Sequence, residues 1–185
     1  MKIYTRIGDD GCTSGLDGHR VRKNDPGVGA MGDVDELNSH LGLCAAAAGG
    51  SDAKVSLVQA LAPLQAEMFA AGAMLAGARG EGPAEGLLDD SAVGRMEQQI
   101  DTATDQLGQL RHFVLPCGCE LACRLHVART VCRRAERSVA AFADTAAVPA
   151  IVLRYLNRLG DLLFVLARLA NLQAGVAEMP WPPEA

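Results

Sequence analysis

"ELACRLHVARTVCRRAERSVAAFA", residues 120–143, decides the fold class. Leu121, Leu125, Ala128, Cys132 and Ala135 recur at three- and four-residue spacing, the apolar stripe of an amphipathic helix. Arg129, Arg133, Arg134, Glu136 and Arg137 fall on neighbouring turns, so the same helix carries a dense cationic flank. The next long segment, "AIVLRYLNRLGDLLFVLARLANLQAG" at 150–175, is nearly all apolar apart from Asn157, Arg158, Asp161 and Arg168. A helix with so few polar positions belongs at the centre of a bundle or in a subunit interface. Asn157, Asp161, Phe164 and Arg168 share one side of it by their spacing.

Three more helices are legible upstream. In "DPGVGAMGDVDELNSHLGLCAAAA", Asp25 can cap and Pro26 suits the first helical position, while Val34, Leu37, Leu41 and Cys44 make an apolar stripe. Asp35 falls on another face, with the small residues Gly32, Ser39 and Gly42, where a second helix could approach and offer a cation. A second helix starts near Ser51 or Asp52, either of which can cap it, and Pro63 interrupts or kinks it. Residues 78–86 read as a loop, and a third, more polar helix runs from about Asp89 to near Gly108. "RHFVLPCGC" at 111–119 is a linker that presents Phe113, Val114 and Leu115 in extended form. The expectation is an all-α, five-helix bundle, one domain over residues 1–175 with a glycine-rich loop at 1–24, followed by a Pro-rich, poorly ordered tail at 176–185.

Composition agrees with this class. The apolar fraction is 49% but only 4% is aromatic, which favours closely packed helices over strands built from aromatic and β-branched residues. A formal charge of −5 argues against general nucleic-acid binding, which needs a broad basic surface. No apolar run is long enough to span a bilayer and no signal peptide is evident, so a cytoplasmic protein is expected. Six cysteines without an export signal read as reduced thiols. "PCGCELAC", with Cys117, Cys119 and Cys123 beside His112 and His126, matches no common zinc motif, and Cys119 and Cys123 lack the Cys-x-x-Cys spacing of a redox pair. No metal held by protein side chains is expected.

The chain opens with "YTRIGDDGCTSG", residues 4–15, which packs glycines, hydroxyls and an arginine into a short segment. Glycines let backbone N–H groups curl inward, and hydroxyls and cations are what a phosphate attracts. It is not a Walker loop, because no Gly-Lys-Ser or Gly-Lys-Thr follows. Together with Lys23 and the arginines of 129–137, it suggests a polyphosphate site. Nucleophilic catalysis has little support: Ser14 lacks a Gly-x-Ser-x-Gly elbow and the histidines show no ligand pairing.

Four segments, "KIYTRIGDDGCTS", "MGDVDELNSHLG", "FVLPCGCELACRLHVARTVCRRAER" and "YLNRLGDLLFVLAR", resemble in order and spacing the signature blocks of the PduO-type ATP:cob(I)alamin adenosyltransferases. The resemblance spans residue 2 to about residue 171. It implies a ferritin-like five-helix bundle that assembles as a homotrimer, with active sites between subunits. It further implies transfer of the 5′-deoxyadenosyl group of ATP to the cobalt of cob(I)alamin, giving adenosylcobalamin and triphosphate, with Mg²⁺ on the triphosphate. By motif position the ATP contacts would be Thr5, Arg6, Ile7, Gly8, Thr13, Ser14, Lys23, Arg133, Arg134, Ala135, Glu136, Arg137 and Asn157. Asp35 and Arg129 would form an intersubunit salt bridge, and Phe113 would keep the lower axial ligand off cobalt, so that Phe113, Arg133 and Asn157 carry catalysis. A cobalamin reductase and a B12-dependent mutase would be partners.

Such chemistry fits the residues, because cobalt(I) is itself the nucleophile and the protein's tasks are positioning and charge neutralisation. Departures from the family pattern are Ile7 for Thr, Gly15-Leu16-Asp17 for a segment more often aromatic, Cys117 and Cys119 for Gly and a small polar residue, and Gly160 for Ser. Two alternatives stand beside this reading: an ATP-sensing bundle without turnover, and a Cys-rich metal-binding bundle.

Overall fold

The computed structural model describes residues 2–15, 18–49, 55–78 and 86–182. Helix α1 spans Pro26–Ala48, α2 Val55–Leu61, α3 Leu64–Gly77, α4 Asp90–Leu107, α5 Glu120–Ala143 and α6 Ala150–Gln173. Four short strands complete it: β1 Cys12–Ser14, β2 Arg20–Arg22, β3 Phe113–Val114 and β4 Pro180–Trp181.

Local chemistry sets the helix ends. The Asp25 side chain accepts from the Gly27 N–H at 2.8 Å, with Pro26 in the first turn of α1, and Asp89 caps α4 through the Ser91 N–H. The long second helix is two helices: Pro63 has no N–H to continue the ladder, so α2 stops at Leu61 and α3 restarts at Leu64. Its expected caps, Ser51 and Asp52, and the centre of the expected loop at 78–86 lie outside the described residues.

Helix α1 packs on α3 and α5, α5 on α6, and α6 on α4. The α5 stripe of Leu121, Leu125, Ala128, Cys132 and Ala135 is fully buried, as are Val34, Leu37, Leu41 and Cys44 of α1. Helix α6 is the central element: from Leu162 to Asn171 only Phe164 is other than buried. A polar lock closes the bundle across its middle. The buried Tyr155 hydroxyl of α6 donates to Glu67 Oε2 of α3 at 2.6 Å, and Glu67 also pairs with Arg95 of α4. Burial and then the Glu67 carboxylate push the Tyr155 phenol well above its ordinary range.

The tail differs from expectation over its described part. Pro180–Trp181 pairs antiparallel with Phe113–Val114, Leu115 N–H donates to Met179 O at 2.8 Å, and Arg168 holds Glu178 through two bonds of 2.6 and 3.0 Å. The physical reason is that Arg168, only 6% exposed, needs a counterion, and the tail supplies it. Among the described residues no helix is long and apolar enough to cross a membrane.

Candidate functional site

The N-terminal segment folds as a laced loop. β1 and β2 pair antiparallel with Thr13 opposite Val21, and the Arg20 guanidinium donates to Ile7 O at 3.1 Å and to both Asp10 carboxylate oxygens at 2.7 and 2.8 Å. The Cys12 N–H and then the Arg20 charge hold the Asp10 carboxyl below its usual range. Arg6 adopts a left-handed φ of 62°, and its guanidinium lies 5.5 Å from the Tyr4 ring centre. Lys23 N–H donates to Gly11 O, which folds the lysine back over the loop. A methyl placed on Gly8 would lie 3.1 Å from Cys12 O and 3.3 Å from Lys23 Nζ, so glycine is what lets the ammonium approach. Thr5, Arg6, Ile7, Ser14 and Lys23 are exposed, and Gly8 and Thr13 half-buried. Ile7 presents an exposed side chain while its N–H faces Thr5 Oγ1 and its carbonyl takes Arg20. Leu16 and Asp17, the other departure in this loop, lie outside the described residues.

The loop is rooted where α1 begins. Gly27 meets Phe142 so closely that a methyl there would lie 2.8 Å from the ring, which fixes the start of α1 against the C-terminal end of α5. Arg133 stands nine residues back along α5, about 13 Å along the axis at 1.5 Å per residue. Neither Arg133 nor Arg137 has an ion-pair or hydrogen-bond partner among the described residues, and both are exposed. Glu136 accepts from Asn157 Nδ2 at 2.9 Å, joining α5 to α6 beside them.

Two members of the expected set point elsewhere. Arg134 turns toward α1, pairing with Glu36 and, at 3.3 Å, with Asp33, which Ser138 also reaches. The side chain of Ala135 is wholly buried in the core stripe, because helix periodicity places it on a different side of α5 from the exposed Arg134. Gly160 lies beside Arg133, with space between them: a methyl there would be 3.9 Å from Arg133 Cγ.

Asp35 is exposed, and its carboxylate has no partner among the described residues. Arg129 is half-buried beside Phe164, 5.9 Å from the ring centre, and its Nε is buried without a hydrogen-bond partner. His126 lies near the same ring, centroid to centroid 6.3 Å and tilted by 54°, 4% exposed, its Nδ1 also unpaired; burial and then the Arg129 charge hold it below the usual histidine range.

Phe113 is 81% exposed on β3 and faces Trp181 of β4 directly across the ladder, while Met179 lies two residues before Trp181 on the same face. Trp181 and Met179 are part of this apolar wall and escape a reading that leaves the tail unordered. The Trp within "MPWPP" is the signal that could have found it, since an aromatic there has a reason to pack. Among the described residues, no three His, Cys, Asp or Glu side chains come together as a metal site.

Fold and site define a helical bundle with a cation-bearing loop at one end, unpaired arginines on its flank and an apolar aromatic wall at the other end. The chain belongs to the cobalamin adenosyltransferase family, whose sequence profile matches residues 3–170. A corrinoid adenosyltransferase of Bacillus subtilis is 39% identical over 181 residues, covering 98% of this chain and 92% of that one. Another from Mycobacterium tuberculosis is 43% identical over 183 residues, covering 97% and 93%. Among solved structures, a variant of the PduO-type ATP:corrinoid adenosyltransferase from Lactobacillus reuteri, complexed with cobalamin and ATP, matches with a TM-score of 0.90 at 33% identity over 98% of this chain and 97% of that one.

Proposed function

We propose that this chain transfers the 5′-deoxyadenosyl group of ATP to the cobalt of cob(I)alamin, giving adenosylcobalamin and triphosphate. The observation that carries the proposal is the separation of complementary parts along one helix. The loop is rooted at the C-terminal end of α5, whereas Phe113 and Trp181 stand before its N-terminal end, with the partnerless Arg133 and Arg137 between. From Cys119 to Phe142 the axis runs about 35 Å, too far for one ATP to touch the loop of a chain and the aromatic wall of the same chain. A second copy, offering its loop to this chain's arginines and wall, brings the parts together. The unpaired Asp35 and the orphaned Arg129 Nε support the same arrangement, since each lacks among the described residues the partner it needs. A homotrimer closes three such sites.

In this site Thr5, Gly8, Thr13, Ser14 and Lys23 of one subunit and Arg133 and Arg137 of its neighbour surround the triphosphate. Their charges offset the negative charge that grows on the leaving group as the C5′–O bond breaks. Arg6 stacks on Tyr4 and so is held at the mouth of the loop, where its backbone follows the phosphates. Ile7 brings only an apolar side chain to the contact that Thr makes elsewhere. Asn157, oriented by Glu136, holds the nucleoside end. Arg134 enters as a brace between α5 and α1, because its charge is already met by Asp33 and Glu36. Magnesium belongs with the triphosphate oxygens, as hard oxygen donors suit it and the described residues assemble no side-chain cage. Phe113, backed by Trp181, excludes water and the lower ligand from the cobalt.

Anaerobic mixing of the protein with MgATP and chemically reduced cobalamin tests this. Adenosylcobalamin and triphosphate appearing in equal amounts are expected; ATP binding without either product contradicts it.

A further inference from the structure

Three half-exposed thiols, those of Cys117, Cys119 and Cys123, stand where β3 hands over to α5, and nothing in adenosyl transfer uses them. Gly118, between the first two, has a φ of 130° and lies against Asn171, whose amide would collide with any Cβ there. The Asn171 side chain, 3% exposed, accepts from Cys119 N–H at 2.9 Å and donates to Cys117 O at 3.0 Å. One amide therefore clamps the backbone on both sides of the glycine.

We propose that Cys117 and Cys119 are an oxidisable dithiol whose closure to a disulfide releases the Asn171 clamp and disturbs the Phe113–Trp181 pair. The inference stands on the spacing of the two thiols about a clamped glycine and does not depend on the corrinoid reading. Residues two apart cannot be further than about 7 Å at Cα, close to the separation that a disulfide spans. The single residue between them is glycine, free to take the torsions that closure demands. Cys119 is the N-cap residue of α5 and its side chain makes no capping hydrogen bond, so its sulfur is not engaged by the helix end.

The other thiols are less suited. Burial pushes Cys44 and Cys132 up to about 12, which leaves them protonated and inert. Cys12 is on β1, in the N-terminal hairpin, and Cys123 Sγ is directed at Gly118 O at 3.6 Å, one turn further along α5.

With a small-molecule disulfide such as oxidised glutathione as oxidant, the step balances. The Cys119 thiolate attacks one sulfur and releases one glutathione thiolate. The Cys117 thiolate then displaces the second glutathione from the mixed disulfide. Two protein thiols are oxidised, one small disulfide is reduced to two thiols, and these carry the two protons. Because closure gives up both Asn171 hydrogen bonds, which reduction restores, the bond is readily reducible, as suits a switch rather than a staple.

The consequence reaches the aromatic wall through the backbone. Cys117 N–H donates to Leu115 O at 2.8 Å, and Leu115 N–H donates to Met179 O at 2.8 Å, two residues from the only tryptophan of the chain. Closing the dithiol pulls on this ladder.

The test uses the reduced full-length protein, equilibrated in glutathione buffers of increasing oxidised fraction, quenched in acid, alkylated and mapped by peptide mass, with Trp181 fluorescence followed in parallel. Loss of two thiols with a mapped Cys117–Cys119 link, reversed by dithiothreitol and accompanied by a shift in Trp181 emission, is expected. Cys117→Ser and Cys119→Ser should each abolish the link and the shift and leave the remaining thiol as a glutathione adduct, while Cys123→Ser keeps both. A link through Cys123 or Cys12, a stable glutathione adduct in the wild type, or a Cys117–Cys119 link that leaves Trp181 emission unchanged overturns the proposal.

Discussion

Arg133 and Arg134 are adjacent in sequence and opposite in structure, and exchanging each for alanine separates binding from bracing. Arg133 is exposed and without a partner among the described residues, so Arg133→Ala should change folding stability by less than about 0.5 kcal/mol, or roughly 1–2 °C in Tm for a domain of this size. Its charge-assisted bonds to the triphosphate should be worth about 1.5–3 kcal/mol. At about 1.4 kcal/mol per decade, kcat/KM for ATP falls by roughly 10- to 150-fold. Arg134→Ala removes ion pairs to Asp33 and Glu36 whose side chains are 24% and 46% exposed. Discounted for solvent, that pair is worth about 1 kcal/mol, or roughly 2–4 °C, with kcat/KM changed by less than about threefold. The assay is anaerobic turnover over a range of ATP concentrations beside a thermal melt of each variant. Arg134→Ala losing tenfold or more in kcat/KM at an unchanged Tm, with Arg133→Ala close to wild type, would refute the assignment.

Further outcomes follow from other parts of the molecule. Phe113→Ala should slow adenosylation at least about tenfold while leaving ATP affinity within about twofold, measured by turnover and by ATP titration, because this exposed side chain is assigned to the corrinoid and not to the nucleotide. Tyr155→Phe leaves the half-buried Glu67 oxygen short of a donor and should cost about 1 kcal/mol in denaturant unfolding with an unchanged m-value. Burial raises Cys44 and Cys132 from 9.0 to about 12, so the neutral thiols favour the fold below pH 9 and that contribution is lost as pH rises toward 12. Unfolding at pH 8 and 10.5 should show the fall, and a Cys44→Ala/Cys132→Ala protein should show a flatter slope. Light scattering should give the mass of three chains, with Asp35→Arg shifting it toward one and Asp35→Arg/Arg129→Asp restoring it.

The bundle was legible because its signals are periodic and local. The α5 stripe, the Asp25 cap, the start of α4 near Asp89 and the central placement of α6 all follow from residues within one or two turns of each other. Pro63 was legible as an interruption, but whether a proline bends a helix or divides it depends on the packing around it, and here it divides α2 from α3. The pairing of Pro180–Trp181 was not legible for a related reason: prolines and the absence of periodicity suggested disorder, and the partner strand at Phe113–Val114 lies far away in sequence. The loop could be recognised by composition, yet its lacing by Arg20 requires Asp10 and Ile7 to meet a residue on the opposite strand. Direction around α5 was the finest distinction. Arg133 and Arg134 are equivalent in a list of charges, and only the position of α1, with Asp33 and Glu36, separates them.

The central claim is that the 5′ carbon of ATP exchanges its bond to oxygen for a bond to cobalt, carrying the deoxyadenosyl group with it. ATP labelled with carbon-13 at the 5′ position, mixed anaerobically with the protein, magnesium and cob(I)alamin, tests it by NMR of the products. The account predicts that the label appears in a cobalt–carbon bond, one for each intact triphosphate released. Label that stays in ATP, or phosphate released while the labelled carbon remains on oxygen, would contradict it.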